Sequence, residues 1–295
     1  MLRRSLSRAA TNLRSSASAD PFDVLVVGGG VMGAWAAVRS AQAHGARVCL
    51  ADQFTPAHDH GSSHGDGRIY RLAYAQDLYV DMMLHSLPLW RDLQSFAGEP
   101  LMHETGGMNL GPIEDNRLDE LGSLYKRRGI VHEWLSAGEA NERFPQFGLA
   151  ASQLALYQPD FGVLFASKAV RACWSYAASL GVEHQTPFRA ARLRLDDDAR
   201  RPDVVLVEGD DGAVISAKSV VLALGAWMSP LAHDLLGLRV PTVVTAETVS
   251  YYAPREDAPP SVDHRYTAMP VFCGDDDNGL GPFGYCARAR MPSAS

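Results

Sequence analysis

The stretch Asp23-Val24-Leu25-Val26-Val27-Gly28-Gly29-Gly30-Val31-Met32-Gly33 decides how this chain folds. A short, β-branched apolar run suits a buried parallel strand, and it breaks into a Gly-x-Gly-x-x-Gly turn ahead of an Ala-rich helical stretch. Gly28 makes the tight turn, Gly30 lets the backbone approach a pyrophosphate, and Gly33 lets the helix pack closely on the strand. The helix opening at Val31 and Met32 aims its free N–H groups and positive dipole end at that phosphate. A second apolar run, Val48-Cys49-Leu50-Ala51, ends at Asp52 and Gln53. A carboxylate at that position accepts from the 2′- and 3′-hydroxyls of a ribose and repels a 2′-phosphate. Strand, turn, helix, strand and acid in this order predict a dinucleotide site on a Rossmann-type sheet. A glycine-rich turn in some other α/β sheet is the plainer alternative.

The bulk numbers narrow the classes. At 295 residues, 46% hydrophobic and 21% charged, the chain has the make-up of an ordinary globular protein with one large core or two modest ones. Its net charge of −7 hides an asymmetry: residues 1–19 hold Arg3, Arg4, Arg8 and Arg14 and no acid. The remainder is therefore strongly acidic and offers no basic cluster for nucleic acid or an anionic membrane. No apolar run reaches bilayer length. Cys49, Cys173, Cys273 and Cys286 are far apart, with no Cys-x-x-Cys, so neither a disulfide framework nor a zinc site is indicated and a reducing compartment fits. The Arg- and Ser-rich leader (1–20), free of acids through residue 19, has transit-peptide composition, which points to mitochondrion or plastid; the alternative is an unstructured tail.

Along the chain, a turn-rich loop spans Thr55 to Gly67, followed by helical stretches from about Arg68 and from Tyr79 to Phe96. Pro88 predicts a kink there, or two helices. Residues 101–110 read as a strand, 114–128 and 135–143 as helices, Ala155–Tyr157 as a strand and Phe161–Val163 as a turn. Ser167 to Leu180 reads as an amphipathic helix closed by Gly181. Val204–Val207 and Ala213–Ile215 flank Gly209-Asp210-Asp211-Gly212, a hairpin signal, and Ser219–Leu224 is a buried strand breaking at Gly225. From Val243 to Tyr252 strand-like alternation returns.

The loop after Asp52 carries further chemistry. His58, His60 and His64 could be metal ligands, but exposed loop histidines explain them as well. Gly61, Gly65 and Gly67 suit close approach to a flat ligand. On a helix Arg68 and Arg71 share one face, fit for a carboxylate, a phosphate or an anionic cofactor; a solvated basic face is the alternative.

The run Gly61-Ser62-Ser63-His64-Gly65-Asp66-Gly67-Arg68-Ile69-Tyr70-Arg71 resembles the flavin loop of the monomeric sarcosine oxidase and N-methyl-tryptophan oxidase family, within the D-amino-acid-oxidase-like flavoproteins. Thr105–Pro112, Tyr157–Phe165 and Leu222–Trp227 match further family segments in order, so the resemblance runs from about Phe22 to Tyr285. It implies an α/β fold: a Rossmann-type FAD-binding domain (21–100 and 159–237) interleaved with a mainly antiparallel β substrate domain (101–158 and 238–295), incomplete at its carboxyl end. The implied cofactor is FAD. The implied reaction oxidises a secondary or N-methyl amino acid, sarcosine- or pipecolate-like, to an imine, and oxygen is reduced to hydrogen peroxide. By position, Gly28, Gly30, Val31, Met32 and Gly33 hold the pyrophosphate, and Asp52 with Gln53 the ribose. Ser62, His64 and Arg68 line the isoalloxazine, with Arg68 stabilising negative charge on the reduced ring. Arg71 holds the substrate carboxylate, and Gly225 and Trp227 pass close to the cofactor. The sequence after Tyr285 matches nothing in the family and reads as an out-of-register tail, which leaves the family's oxygen-activating lysine and flavin-bonding cysteine without counterparts. Two other readings remain: a non-catalytic FAD-binding fragment, and a pyridine-nucleotide dehydrogenase, for which the His64–Arg71 loop would have no purpose. Cytoplasmic or peroxisomal placement is the alternative to the organelle reading, and nothing in the sequence fixes an oligomeric state.

Overall fold

The computed structural model describes residues 20–246, 249–251, 262–275 and 282–285. The Arg-rich leader and the divergent tail after Tyr285 lie outside the described residues. In chain order the elements are β1 (Phe22–Val27), α1 (Val31–His44), β2 (Val48–Ala51), β3 (Arg68–Tyr70), α2 (Asp77–Ala97), β4 (Met102–Glu104) and β5 (Gly107–Pro112). Then come α3 (Asn116–Arg128), β6 (Glu133–Ser136), α4 (Ala137–Arg143), β7 (Gln153–Gln158), β8 (Gly162–Leu164) and α5 (Ala166–Ser179). The chain continues through β9 (Glu183–Gln185), β10 (Ala190–Leu195), β11 (Val205–Gly209), β12 (Val214–Leu222), α6 (Met228–Leu236), β13 (Val271–Asp275) and β14 (Pro282–Tyr285). These elements form two compact units, Met1–His64 with Val170–Ala246, and Gly65–Ala169 with Glu247–Ser295.

The first unit is built on a six-stranded sheet in the order β10-β11-β12-β1-β2-β9. β12, β1, β2 and β9 run parallel, while β10 and β11 are antiparallel to their neighbours. Strands in the middle of such a sheet are shielded from water on both faces, which is why β1 and β2 are nearly all Val, Leu, Ala and Cys. Leu25, Val26, Cys49, Leu50 and Ala51 are fully buried. One face gathers Leu25, Val27, Cys49 and Ala51 with Phe188, Val207, Ile215 and Ala217 into a single core. α1 lies on β1 and β2, and its Ala34, Ala37 and Val38 are fully buried. The hairpin at 209–212 is present, but Val214 to Leu222 is one continuous strand where the sequence suggests two.

The second unit holds a five-stranded sheet, β14-β13-β5-β7-β6, and a three-stranded one, β3-β8-β4. Its main core joins Leu72, Val80, Leu118, Leu124, Tyr125, Leu156, Phe161 and Val163. α4 starts with a capping box in which the Ser136 hydroxyl accepts from the Glu139 N–H and the Glu139 carboxylate accepts from the Ser136 N–H.

Several sequence expectations need correction here. Arg68–Tyr70 is a strand, not the start of a helix, because it pairs antiparallel with β8; residues 161–163 accordingly enter a strand rather than a turn. Residues 101–110 are two strands in different sheets, broken at Gly106, whose φ of +70° turns the chain. α2 is one helix with Pro88 inside it. The alternation at 243–252 makes no strand in its described part, residues 243–246 and 249–251, where Val243 and Val249 are exposed.

Candidate functional site

In the first unit Val27 pairs with Ala51 on one side and Leu222 on the other, so β1, β2 and β12 end level. The turns at Gly28, Asp52 and Ala223 therefore leave from one edge, the carboxyl edge where parallel α/β sheets take their ligands. Gly28 has φ of +103°, and a methyl group on it would lie 2.3 Å from the Ala223 carbonyl oxygen. A methyl on Gly33 would lie 1.7 Å from the Gly28 carbonyl oxygen. The fingerprint glycines thus answer to backbone contacts visible in the fold. Gly30 caps α1 without a side-chain hydrogen bond, and the first turn of α1 holds no acid. The dipole end of the helix is left uncompensated by any carboxylate of its own first turn, the condition an anion site requires.

Asp52 is buried, 7% exposed, and each of its oxygens meets a backbone donor. Oδ2 accepts from the Gly29 N–H at 2.5 Å and Oδ1 from the Phe54 N–H at 2.7 Å. The acid thus anchors the glycine turn, a role the sequence did not show. Each carboxylate oxygen has two lone pairs, so acceptor capacity for a ribose diol remains. Trp174 holds the other side of Gly29: its Nε1–H donates to the Gly29 carbonyl at 2.8 Å. A methyl on Gly29 would lie 2.2 Å from the indole Cζ2. Ser63 is a second residue that sequence reasoning missed, since its Oγ accepts from the Val31 N–H at 3.0 Å. Ser63 stands beside the predicted Ser62, but only the fold brings it to the amino end of α1.

The other predicted residues of this unit are placed as follows. Met32, 74% exposed, lies in the first turn of α1, and Gln53 is half-buried beyond Asp52. Ser62 is exposed and His64 half-buried. Gly225 has φ of +53° and opens the turn that carries Trp227. The Trp227 ring stands 5.9 Å from Phe54 and 6.5 Å from His58, centroid to centroid, and a methyl on Gly61 would lie 3.6 Å from it. His58 Nε2 is 3.9 Å from Asp52 Oδ1, so this loop histidine packs among aromatic rings beside the acid. Among the described residues no three His, Cys, Asp or Glu side chains are grouped to hold a metal ion.

Arg68 and Arg71 belong to the second unit. Arg68 is exposed and donates to the Gly67 carbonyl at 3.0 Å. Arg68 opens β3 and Arg71 follows its last residue, so the two are not on a helix and the helical argument for pairing them fails. Arg71 is half-buried and lines a cavity of about 840 Å³ with Tyr74, Asn109, Leu110, Leu124 and Cys273. Its guanidinium donates to Cys273 Sγ and lies 5.7 Å from the Tyr74 ring, and among the described residues no carboxylate pairs with it. Burial pushes the Cys273 thiol up, against the pull of Arg71, so the sulfur is a neutral neighbour. Asp119 and Glu120 also line this cavity, but among the described residues neither forms an ion pair with Arg71.

Comparison with known proteins agrees with this geometry. Residues 23–282 match the FAD-dependent oxidoreductase (DAO) family profile. Human peroxisomal sarcosine oxidase is 31% identical over 246 residues, 83% of this chain and 60% of the relative. Monomeric sarcosine oxidase of a Bacillus species is 31% identical over 233 residues, 78% of this chain and 58% of the relative. Among solved structures, the open form of NikD, described as an unusual amino acid oxidase, superposes with a TM-score of 0.62 at 30% identity, covering 74% of this chain and 54% of NikD. Glycine oxidase from Geobacillus kaustophilus gives 0.59 at 26% identity, covering 73% and 58%. The chain spans about 60% of the length of the human relative. No helix among the described residues is long and apolar enough to cross a membrane. A glycine turn braced from both sides, an acid-free helix end and a buried acid on one sheet edge fit FAD, and the chain belongs to the family of FAD-dependent oxidoreductases.

Proposed function

We propose that this chain oxidises a secondary or N-methyl amino acid, of the sarcosine or pipecolate kind, to the imine, with molecular oxygen reduced to hydrogen peroxide. The observation that carries the reading is Arg71, a cation on a cavity whose described carboxylates, Asp119 and Glu120, form no ion pair with it. An amino-acid carboxylate supplies the missing charge, and the planar guanidinium fork suits its two oxygens. FAD, when bound, supplies the two-electron acceptor. Gly28, Gly30, Val31, Met32 and Gly33 hold its pyrophosphate, Asp52 and Gln53 its ribose. Ser62, His64, Arg68, Gly225 and Trp227 are the residues proposed for its ring system. In this reading residues 21–100 and 159–237 serve the cofactor, and residues 101–158 and 238–295 the substrate.

The names of the human and mouse relatives place those proteins in peroxisomes, whereas the leader composition of this chain favours a mitochondrion or plastid. A fluorescent fusion carrying the leader discriminates the two.

The decisive test is flavin absorbance of the purified protein, then peroxide release on adding sarcosine, pipecolate or N-methyl amino acids. Arg71→Leu is expected to raise KM with little effect on bound flavin. Losing a charge-assisted contact costs on the order of 2–3 kcal/mol, roughly 30- to 150-fold in KM. An unchanged KM removes Arg71 from this role. Flavin retained without turnover of any amine supports the non-catalytic reading instead, and absence of flavin argues against both.

A further inference from the structure

The wall of the Arg71 cavity holds a polar side chain that the fold itself leaves unused. Asn109 sits in β5, 7% exposed, and lines the cavity. Its Cα partner across the parallel pairing with β13 is Cys273, the residue Arg71 touches. Side chains at paired positions of adjacent strands share a face, so Asn109 stands next to the Arg71–Cys273 contact. Its Nδ2 and the hydroxyl of fully buried Tyr125 lie within reach of each other, but neither makes a hydrogen bond of good geometry. Two adjacent orphans in one core are costly, because a buried donor left unmade loses its full hydration.

One movement accounts for both. A half-turn of the amide lets Oδ1 accept from the Tyr125 O–H and swings the N–H2 group into the cavity. Tyr125 then fixes the amide, and the free N–H2 faces the same space as the Arg71 guanidinium. Both donors then face the cavity, and the acceptor of the protein beside them is the neutral Cys273 sulfur that Arg71 already meets. Their complement is a group with two acceptor oxygens.

We propose that Asn109 is a specificity-determining residue of the Arg71 site, donating a second hydrogen bond to the ligand carboxylate and selecting free acids over amides. The inference rests on the reading of Arg71 as the carboxylate holder. A carboxylate meets Arg71 and Asn109 with acceptors alone, whereas a primary amide brings an N–H2 that opposes one of the two donors.

The test is calorimetric titration of the full-length protein, as purified, with acetate and with acetamide, on wild type, Asn109→Leu and Arg71→Leu, alongside thermal melts. Asn109→Leu is expected to weaken acetate about tenfold and to narrow the acetate-to-acetamide ratio by a similar factor. It is also expected to lower Tm, because it takes from the buried Tyr125 hydroxyl its acceptor. Sarcosine in place of acetate should show the same loss. Wild-type acetate affinity in Asn109→Leu, with Arg71→Leu weakened, overturns this inference and leaves the reading of Arg71 standing. Acetate binding indifferent to Arg71→Leu sinks that reading instead. A lower Tm for Asn109→Leu with ligand affinity unchanged makes Asn109 a structural residue, and absence of acetate binding by the wild type overturns the inference outright.

Discussion

Replacing Trp174 with phenylalanine should weaken the first unit through the glycine turn, and the size of the effect can be worked out. Trp174 is 4% exposed, and its Nε1–H donates to the Gly29 carbonyl at 2.8 Å in a buried setting. Phenylalanine keeps the ring but not the donor, leaving a buried carbonyl unpaired at about 1–3 kcal/mol. The smaller ring also vacates about 40 Å³, worth roughly 1 kcal/mol if the site does not collapse. Together these give about 2–4 kcal/mol, or a fall in Tm of roughly 5–10 °C for a domain of this size. Gly29→Ala should be worse alone, since its methyl would lie 2.2 Å from the indole Cζ2. The backbone at Gly29 is not in the left-handed region, so that clash is the whole objection to alanine. In the double variant the smaller ring relieves it, and the two costs should fall short of their sum by about 1–2 kcal/mol. Urea denaturation of the four proteins measures the coupling. Strict additivity, or a Trp174→Phe variant as stable as wild type, would refute the idea that the indole and the turn are fitted to one another.

The remaining predictions concern stability. Burial pushes the thiols of Cys49 and Cys173 up to about 12 from a usual value of 9.0. Between those values the folded chain binds more protons than the unfolded one, so stability falls as pH rises from about 9 toward 12, on the order of 1 kcal/mol per pH unit for each thiol. Urea midpoints at pH 8 and pH 10.5 should show the drop, and a Cys49→Val/Cys173→Ala variant should lose most of it; equal slopes would remove the thiols as its cause. Ser136→Ala dismantles the capping box of α4 and should cost about 1 kcal/mol, read as a Tm shift of a few degrees. No shift would mean that water caps the helix equally well.

The fold was most legible where local pattern and tertiary role coincide. The run from Val24 to Val27 is apolar on both faces and reads as an inner strand, and the glycines after it are required by contacts at Ala223 and within the turn. α3 and α5 follow the helical period, and the 209–212 hairpin follows turn chemistry. Legibility failed where pairing overrides propensity. Arg68–Tyr70 and Gly162–Leu164 are three residues each, too short to show a period, and they are strands because they hydrogen-bond to one another from far apart in sequence. The converse holds at 243–246, where alternation without a pairing partner makes no strand.

The candidate site divides in the same way, and the division is physical. A residue that meets a ligand through its place in a motif, such as Gly28 or Asp52, is visible in sequence because the turn around it is local. Trp174 and Ser63 act on the glycine turn from 145 and 32 residues away, and no spacing rule reaches them. Asp52 shows both aspects. Its position after β2 announces an acid for a ribose, yet its two oxygens already take N–H donors from Gly29 and Phe54. A carboxylate so held cannot swing away, so any hydroxyl reaching it finds its remaining lone pairs at fixed positions. Removing that carboxylate would therefore loosen the turn as well as the ribose contact. Asp52→Asn should lower the stability of the cofactor-free protein, where a group that served the ribose alone would leave it unchanged.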